Sequence, residues 1–306
     1  MTRKLVFLAL GLIVAGSLSA ETITLLDDGT SLVFIDSAAP SVSLGSVAIT
    51  GLQVGEVISG IDFRPANGLL YGLGASAAGT VAQLYQISTT TGAATPIGAS
   101  FALNASTVVG MDFNPVADRL RVISNVGTNL RIDPATGAVT PDTNADYAPG
   151  DPNEGTGNVS SALAYSNNFV GAVTTTLYGI NYANAVILVT VGSPNGAPVS
   201  PNTGQMFTVG STGLLNFSNL RTGLDISAGG TAYAAINSPI QLYTVNLATA
   251  AVTPVGSFPV GTIRDLAVGG PVISNAEPAI PTLSMGMLAM LAIALGGAAV
   301  FVMTRR

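Results

Sequence analysis

"GIDFRPANGLLYGLG" at residues 60–74 and "GMDFNPVADRLRVIS" at residues 110–124 are two copies of one pattern. In both copies an aspartate stands between two large apolar residues, and a short segment containing proline leads to a second apolar run. Self-similarity at a regular spacing is typical of propellers and solenoids, in which each repeat is one supersecondary unit. The pattern therefore predicts a repeat protein built from β-strands.

The same pattern recurs along the chain when the copies are aligned on the aspartate. Asp62 and Asp112 mark the first two copies, Asp225 and Asp265 mark later ones, and a weaker copy has Ala164 in the same position. Successive positions are 50, 52, 61 and 40 residues apart. Repeats of about 40 to 50 residues are usual for the four-stranded blades of β-propellers.

Each complete copy contains four predicted strands, which we call a to d in chain order, with the aspartate on strand a. The last copy, at residues 264–269, has only strand a, whereas residues 23–49 contain strands b, c and d without a strand a. Pairing of the two ends would close the ring and remove exposed sheet edges. The sequence thus predicts an all-β, five-bladed propeller within residues 21–275. Six blades are the alternative, because residues 165–224 are long enough to contain a degenerate blade.

The composition agrees with a folded all-β protein and excludes several kinds of chemistry. Of the 306 residues, 48% are hydrophobic and 8% are charged, whereas disordered chains are poor in apolar residues and rich in charge. The chain has no histidine and no cysteine, which excludes a Ser-His-Asp triad, imidazole or thiolate metal sites, and disulfides. Carboxylates, hydroxyls, tyrosines and six internal arginines remain as chemically useful groups.

Basic residues are concentrated at the two ends of the chain. Between residues 21 and 304 there are 6 basic and 16 acidic residues, a net charge of −10. Nucleic acid is therefore not expected as a partner, because binding of phosphates requires a basic surface. A cation or a neutral polysaccharide is easier to accommodate.

The N-terminal residues 1–20 are predicted to be a secretory signal peptide. Arg3 and Lys4 precede an apolar run at residues 5–16, and small residues follow up to Ala20, which is the usual three-part pattern. At the other end, residues 285–303 form an uncharged and mostly apolar run that is long enough to cross the inner membrane as a helix. Two terminal arginines would stay in the cytoplasm, so the propeller is expected outside the inner membrane.

Residues 276–306 also resemble a known sorting signal. Ile280, Pro281, Thr282 and Leu283, followed by the apolar run and the terminal arginines, resemble the IPTL-CTERM sorting domain of bacterial surface proteins. The resemblance implies a sorting transpeptidase of the exosortase type as a partner. It also implies a precursor anchored in the inner membrane and a product at the periplasmic face, at the cell surface or outside the cell. A plain membrane anchor with the same topology is the alternative.

The repeats resemble a secreted bacterial family that is known as domain of unknown function 4394. The resemblance covers about residues 50–270 and is most specific in the two stretches quoted above and in "TTGAATPIG" at residues 90–98. No activity is assigned to this family. The resemblance therefore implies a secreted protein, and it implies neither a mechanism nor functional residues.

The repeated aspartates are the first candidate site. On strand a of a propeller they would line the central channel, and Asp62, Asp112, Asp225 and Asp265 would form a ring with a gap at Ala164. One interpretation is a cation site, because Ca²⁺ prefers carboxylate oxygens. The interpretation that we favour is structural, with each carboxylate accepting backbone N–H groups of the turn between strands a and b. A residue that maintains the fold is needed in every blade, whereas a binding site is usually needed once.

The polar segment at residues 141–158 is the second candidate site. It contains Asp142, Asp146, Asp151 and Glu154, and oxygen ligands on a flexible loop are suitable for Ca²⁺. Its spacing does not match an EF-hand. The alternative is a solvated connection between blades two and three. No cofactor other than Ca²⁺ is expected.

Arg119, Arg121 and Arg131 are the third candidate site, because they are half of the internal basic residues and all lie in the second repeat. They could bind an anion or a uronate. Alternatively, they pair with Asp118, Asp133 or the aspartate ring, since a buried arginine needs a partner.

These observations together predict an exported, monomeric surface or matrix protein without catalytic activity. Its expected ligand is a polysaccharide, another surface protein or Ca²⁺. The alternative is an enzyme, a hydrolase or lyase that acts on extracellular polysaccharide through carboxylates.

Overall fold

The computed structural model describes residues 20–104, 106, 108–157, 160–182, 185–214, 222–237 and 240–270. In these ranges the chain forms β-strands and two short 3₁₀ turns, and the strands make five sheets. Each sheet is one blade of a β-propeller. The predicted all-β fold with five blades is confirmed, and the alternative of six blades is wrong.

The three N-terminal strands belong to blade five, which the last strand of the chain completes. Blades one and two follow, each with its four strands in chain order. The N-terminal strands are β1 (Thr22–Asp27), β2 (Ser31–Asp36) and β3 (Ala39–Ala48). Blade one contains β4 (Glu56–Phe63), β5 (Leu70–Ser76), β6 (Val81–Ile87) and β7 (Ala94–Ala102). Blade two contains β8 (Val109–Asn114), β9 (Arg119–Ser124), β10 (Asn129–Ile132) and β11 (Val139–Pro141).

Blade three has a fifth strand, which pairs with the outer strand in parallel orientation. Its strands are β12 (Asp146–Tyr147), β13 (Ser160–Tyr165), β14 (Leu177–Asn181), β15 (Ile187–Val191) and β16 (Gln205–Ser211). The turns η1 (Pro194–Gly196) and η2 (Pro201–Thr203) lie between β15 and β16. Part of the long step from Ala164 to Asp225 is therefore an extended connection within blade three.

Blade four is regular, and blade five is shared by the two ends of the described chain. Blade four contains β17 (Thr222–Ile226), β18 (Ala232–Asn237), β19 (Ile240–Val245) and β20 (Val252–Ser257). The last strand, β21 (Ile263–Val268), pairs with β1 in antiparallel orientation, and the order in this sheet is β21-β1-β2-β3. The predicted closure of the ring by both ends is confirmed.

The five a strands, β4, β8, β13, β17 and β21, contact one another in turn around the centre. Both faces of the inner strands are buried against neighbouring blades, so nearly every residue of these strands is buried, including the polar Arg121. Blades one and two, for example, share a cluster that contains Leu73, Leu84, Met111 and Val122. The outer strands β3 and β7 are mostly exposed.

The predicted signal peptide, sorting motif and membrane-spanning helix lie almost entirely outside the described residues. Ala20 is described, whereas the rest of the predicted signal peptide, the motif at residues 280–283 and the apolar run at residues 285–303 are not. Within the described ranges, no helix has the length and apolar character that crossing a membrane requires.

Candidate functional site

The a strands bring the repeated aspartates to the centre of the propeller, where all four side chains are buried. Each carboxylate accepts a hydrogen bond from a backbone N–H group on the a strand of the next blade. The distances are 2.7 Å from Phe113 N to Asp62 Oδ2, 2.9 Å from Tyr165 N to Asp112 Oδ1, 2.6 Å from Val268 N to Asp225 Oδ2 and 2.9 Å from Ile61 N to Asp265 Oδ2. The carboxylates therefore connect neighbouring blades.

This arrangement differs from the one expected from the sequence, in which each aspartate braced the turn after its own strand. The a strands lie so close together at the centre that the nearest N–H group beyond the sheet belongs to the next blade. Blade three has Ala164 in place of the aspartate, and its junction with blade four is apolar. There Ala162 and Ala164 pack in one cluster with Leu224 and Ile226.

Three of the central carboxylates come close enough to interact directly. Asp62, Asp112 and Asp225 each have an oxygen within 4.8 Å of the others. Burial raises the pKa of Asp62, Asp112 and Asp265 well above the ordinary value, and it raises the pKa of Asp225 to about 7. The negative charge of neighbouring ring members contributes further to the pKa shifts of Asp62 and Asp112.

Glycines two residues before the aspartate make this close approach feasible. A Cβ atom on Gly110 would lie 2.6 Å from the backbone carbon of Ala162, and one on Gly223 would lie 2.4 Å from Leu266 N. Sequence analysis overlooked these glycines. Their signal was present, because the motif Gly-x-Asp occurs in the copies at Asp62, Asp112 and Asp225.

A polar cleft with a volume of about 190 Å³ lies between blades two and three. One wall is the turn between β8 and β9, and the other wall includes η2. Its lining residues are Asn114, Ala117, Arg119, Arg121, Arg131, Tyr165, Ser200, Pro201 and Asn202. A second space of similar volume shares Asn114, Ala117, Tyr165, Ser200 and Pro201, so the two are adjacent. The three arginines predicted as an anion site thus line a common cleft.

Arg121 is the buried member of the three arginines, with 3% of its side chain exposed. It donates hydrogen bonds to Tyr165 Oη at 3.0 Å, Asn129 Oδ1 at 2.7 Å and Asp142 Oδ2 at 3.0 Å. A fourth hydrogen bond runs to Asn202 Oδ1 at 2.5 Å. Arg121 therefore holds the walls of the cleft together across the two blades.

Arg119 and Arg131 are the accessible members, with 43% and 34% of their side chains exposed. Arg131 donates two hydrogen bonds to Asp142, at 2.8 and 2.9 Å, and this pairing raises the pKa of the guanidinium. Arg119 forms an ion pair with Asp133 at 3.1 Å. Pairing with Asp133 was one of the expected alternatives.

The other two partners expected for these arginines, Asp118 and the central aspartates, form no salt bridge with them among the described residues. Asp118 pairs with Arg64 of blade one. The described salt bridges of Arg119, Arg121 and Arg131 go to Asp133 and Asp142, and none goes to the central aspartates.

The four carboxylates of the polar segment at residues 141–158 are not brought together. Asp142 is bound by two arginines, as described above. Asp151 accepts hydrogen bonds from the backbone and the hydroxyl of Thr208, both at 2.7 Å. Glu154 accepts from Gly150 N at 2.8 Å, and the exposed Asp146 accepts from Tyr147 N at 2.8 Å. Each carboxylate thus has its own local role, and they offer no common ligand position.

The cleft also contains residues that sequence analysis did not identify as site residues, namely Asn114, Tyr165, Ser200 and Asn202. Asn202 lies 81 residues after its partner Arg121, in the turn that precedes the outer strand β16 of the next blade. No local motif marks such a residue, because its contact depends on how blades two and three pack.

Comparison with known proteins identifies a family. The family model "Domain of unknown function (DUF4394)" matches residues 31–267. No curated protein matches the chain.

Similar solved structures include a Bacteroides fragilis protein named as a "putative 6-phosphogluconolactonase", with 14% identity, coverage of 80% of this chain and 70% of that chain, and a TM-score of 0.41. A Bacteroides caccae protein of unknown function has 10% identity, coverage of 81% and 98%, and a TM-score of 0.43. At these identities the resemblances indicate no activity for this chain.

Proposed function

The chain belongs to the DUF4394 family, whose domain has no known function, and we propose from its own geometry that it is an exported, non-catalytic binding protein. Its ligand is an acidic extracellular polysaccharide, and the cleft between blades two and three binds a sugar unit that carries a carboxylate. The observation that carries this proposal is the exposure of Arg119 and Arg131 in the same cleft.

The charge of the cleft supports an acidic ligand. Three guanidinium groups face two carboxylates, those of Asp133 and Asp142, so that the group carries one excess positive charge. This excess lies in a region whose net charge is −10. Guanidinium groups bind carboxylates through paired hydrogen bonds, and part of each exposed guanidinium remains accessible to a ligand.

The size and chemistry of the lining support a sugar. A volume of about 190 Å³ is below the range of about 300 to 1,000 Å³ that is usual for drug-sized ligands. The amide and hydroxyl groups of Asn114, Ser200 and Asn202 alternate with the apolar surface of Ala117 and Pro201. Such a mixture suits one monosaccharide unit of a longer polymer.

The burial and ion pairing of the carboxylates support a binding function over the alternative of an enzyme that catalyses hydrolysis or elimination. Asp142, with 6% of its side chain exposed, is held by two guanidinium groups. A general acid or base has to reach the proton that it transfers, and the central aspartates are buried and do not line the cleft. The cleft therefore lacks an accessible pair of carboxylates among the residues that line it.

The proposed location rests on the two ends of the sequence. The signal peptide at residues 1–20 directs export, and the motif at residues 280–283 directs sorting by an exosortase-type transpeptidase. The precursor is then anchored in the inner membrane through residues 285–303. The propeller acts as a monomer at the periplasmic face, at the cell surface or outside the cell.

Arg131→Gln is expected to weaken binding of oligogalacturonate by about tenfold or more, because a charge-assisted hydrogen bond contributes about 1.5 to 3 kcal/mol. The measurement is calorimetric titration of the full-length chain, purified in detergent, with oligogalacturonate. Neutral oligogalactose of the same length serves as the control ligand. Arg264→Gln is the matched control variant, since Arg264 also forms an ion pair, with Asp28 in blade five.

The proposal is contradicted by equal affinity for the acidic and neutral oligosaccharides, or by unchanged binding in Arg131→Gln. Asp142 keeps its bond to Arg121 in this variant, so we expect it to fold. Its melting temperature, compared with that of Arg264→Gln, checks this expectation.

A further inference from the structure

We infer that Asp62, Asp112 and Asp225 form a calcium site at the centre of the propeller. The three residues come from strand a of blades one, two and four. The site is separate from the arginine cleft and from the polar segment at residues 141–158.

The spacing of the carboxylate oxygens fits one calcium ion. The three ligand oxygens all lie within 4.8 Å of one another. Ca²⁺ binds oxygen at about 2.3 to 2.6 Å, so two oxygens on opposite sides of one ion are about 5 Å apart. Three oxygens spaced evenly around one ion at about 2.6 Å are at most about 4.5 Å apart, so the three side chains need to move by no more than a few tenths of an ångström to contact a single ion.

An unsatisfied oxygen within the group is the second observation. Asp62 Oδ2 accepts the hydrogen bond from Phe113 N, whereas the buried Asp62 Oδ1 has no hydrogen-bond partner of acceptable geometry, although the nearby N–H group of Phe63 also favours the ionised carboxylate. A buried acceptor without a partner costs about 1 to 3 kcal/mol. A cation would supply the missing interaction. A proton on this oxygen would instead need an acceptor of its own.

The charges around the group point in the same direction. The described arginines form their salt bridges elsewhere: Arg64 with Asp118, Arg119 with Asp133, Arg121 and Arg131 with Asp142, and Arg264 with Asp28. Three ionised carboxylates at this distance repel one another, and the repulsion is relieved either by protons, as the raised pKa values indicate for the ion-free group, or by a cation between them. A divalent ion would compensate most of this charge.

The type of ligand favours calcium over other metals. Carboxylate oxygen is the ligand of hard cations, and transition metals prefer nitrogen or sulfur. The carboxylates are fixed by backbone hydrogen bonds to neighbouring blades. Mg²⁺ requires nearly ideal octahedral geometry at about 2.0 to 2.1 Å, whereas Ca²⁺ accepts irregular sites.

The position of the site gives the ion a structural role. Blade three provides no carboxylate, because Ala164 takes the position of the aspartate. Asp112 and Asp225 lie in the blades on its two sides, so an ion bound to both connects blades two and four past blade three. Calcium would thus complete a ring of polar contacts that the amino acids alone leave open.

The test is the response of the full-length chain, purified in detergent and freed of metal, to CaCl₂. We expect one Ca²⁺ to bind per chain in calorimetry. We also expect the melting temperature to rise by about 5 °C when calcium is at about a hundred times its Kd. Asp62→Asn and Asp225→Asn should abolish both effects.

Two control variants make the test specific. Asp265→Asn weakens the same kind of bond, from Ile61 N to a central carboxylate, but Asp265 is not in the group of three. Asp146→Asn removes an exposed carboxylate of the polar segment. Both variants should keep the response to calcium.

Several results would overturn the inference. These are no calcium binding by the wild-type chain, an unchanged response in Asp62→Asn, or loss of the response in Asp146→Asn alone. A larger effect of MgCl₂ than of CaCl₂ would overturn the assignment of the metal. The wild-type titration decides the question even if a variant does not fold.

Discussion

Replacing Gly110 with alanine is expected to lower the free energy of unfolding by about 3 kcal/mol, since overfilling a well-packed interior typically costs about 1 to 3 kcal/mol. The new Cβ atom would lie 2.6 Å from the backbone carbon of Ala162 and 2.7 Å from Leu163 N. Both atoms belong to β13, the innermost strand of blade three. A backbone cannot move aside as a flexible side chain can, so strands β8 and β13 must separate.

The measurement is urea denaturation of Gly110→Ala beside the control Gly261→Ala. Gly261 has no atoms within 4 Å of a Cβ and does not have a positive φ. Alanine there should be neutral or stabilising by about 0.4 to 1 kcal/mol. Equal midpoints for the two variants would contradict the proposed close contact of the a strands.

Arg121→Met is expected to cost about 3 to 5 kcal/mol, the usual effect of removing one partner of a buried ion pair. Methionine fills much of the space of the arginine, but it cannot bond the four oxygens that Arg121 contacts. Asp142 would keep only its bonds to Arg131. Asn129 would lose one hydrogen bond within blade two, and Tyr165 and Asn202 would each lose one across the interface of blades two and three.

Arg119→Met is the matched control for Arg121→Met. The ion pair of Arg119 with Asp133 is largely exposed, and exposed pairs contribute at most about 1 kcal/mol. Thermal melting and urea denaturation should therefore show a large loss for Arg121→Met and a small one for Arg119→Met. A similar loss in both variants would mean that Arg121 does not connect the two blades.

The blade count and the closure could be predicted from the sequence because both depend on a local pattern that repeats. Residues 23–49 lack a strand a, and residues 264–269 supply only that strand, so the C-terminal end provides the strand that the N-terminal end lacks. The structure places this last strand at Ile263–Val268. A roughly constant spacing allows the blades to be counted even where one copy, such as that at Ala164, has lost the aspartate.

The cleft could be predicted only in part, because its members come from different blades. Arg119 and Arg121 are two residues apart on one strand and thus share a face, which located one wall. The role of Asp142 was missed. The sequence suggested that its carboxylate is a metal ligand, but in the structure it forms ion pairs with Arg121 and Arg131 of blade two. Such competition between partners is decided by packing across strands.

The partners of the central aspartates could not be predicted for a similar reason. The sequence suggested that each carboxylate accepts hydrogen bonds from the N–H groups of the turn that follows its own strand. The distance between adjacent a strands depends on the number of blades and on the absence of side chains at Gly60, Gly110 and Gly223. With those glycines recognised, the Gly-x-Asp motif would have indicated a contact between strands.

The pairing of β1 with β21 has a mechanical consequence. Ile23 lies opposite Val268, and Gly269 N donates a hydrogen bond to Thr22 O at 2.8 Å, so the chain enters and leaves the propeller at neighbouring points. Any tension on the segment after Gly269 is therefore transmitted first to β21. That strand is held on one edge by the ladder with β1, and at the centre by the carboxylate bonds of Asp225 and Asp265. A propeller tethered through its C-terminal end would thus carry the load first on its closing blade.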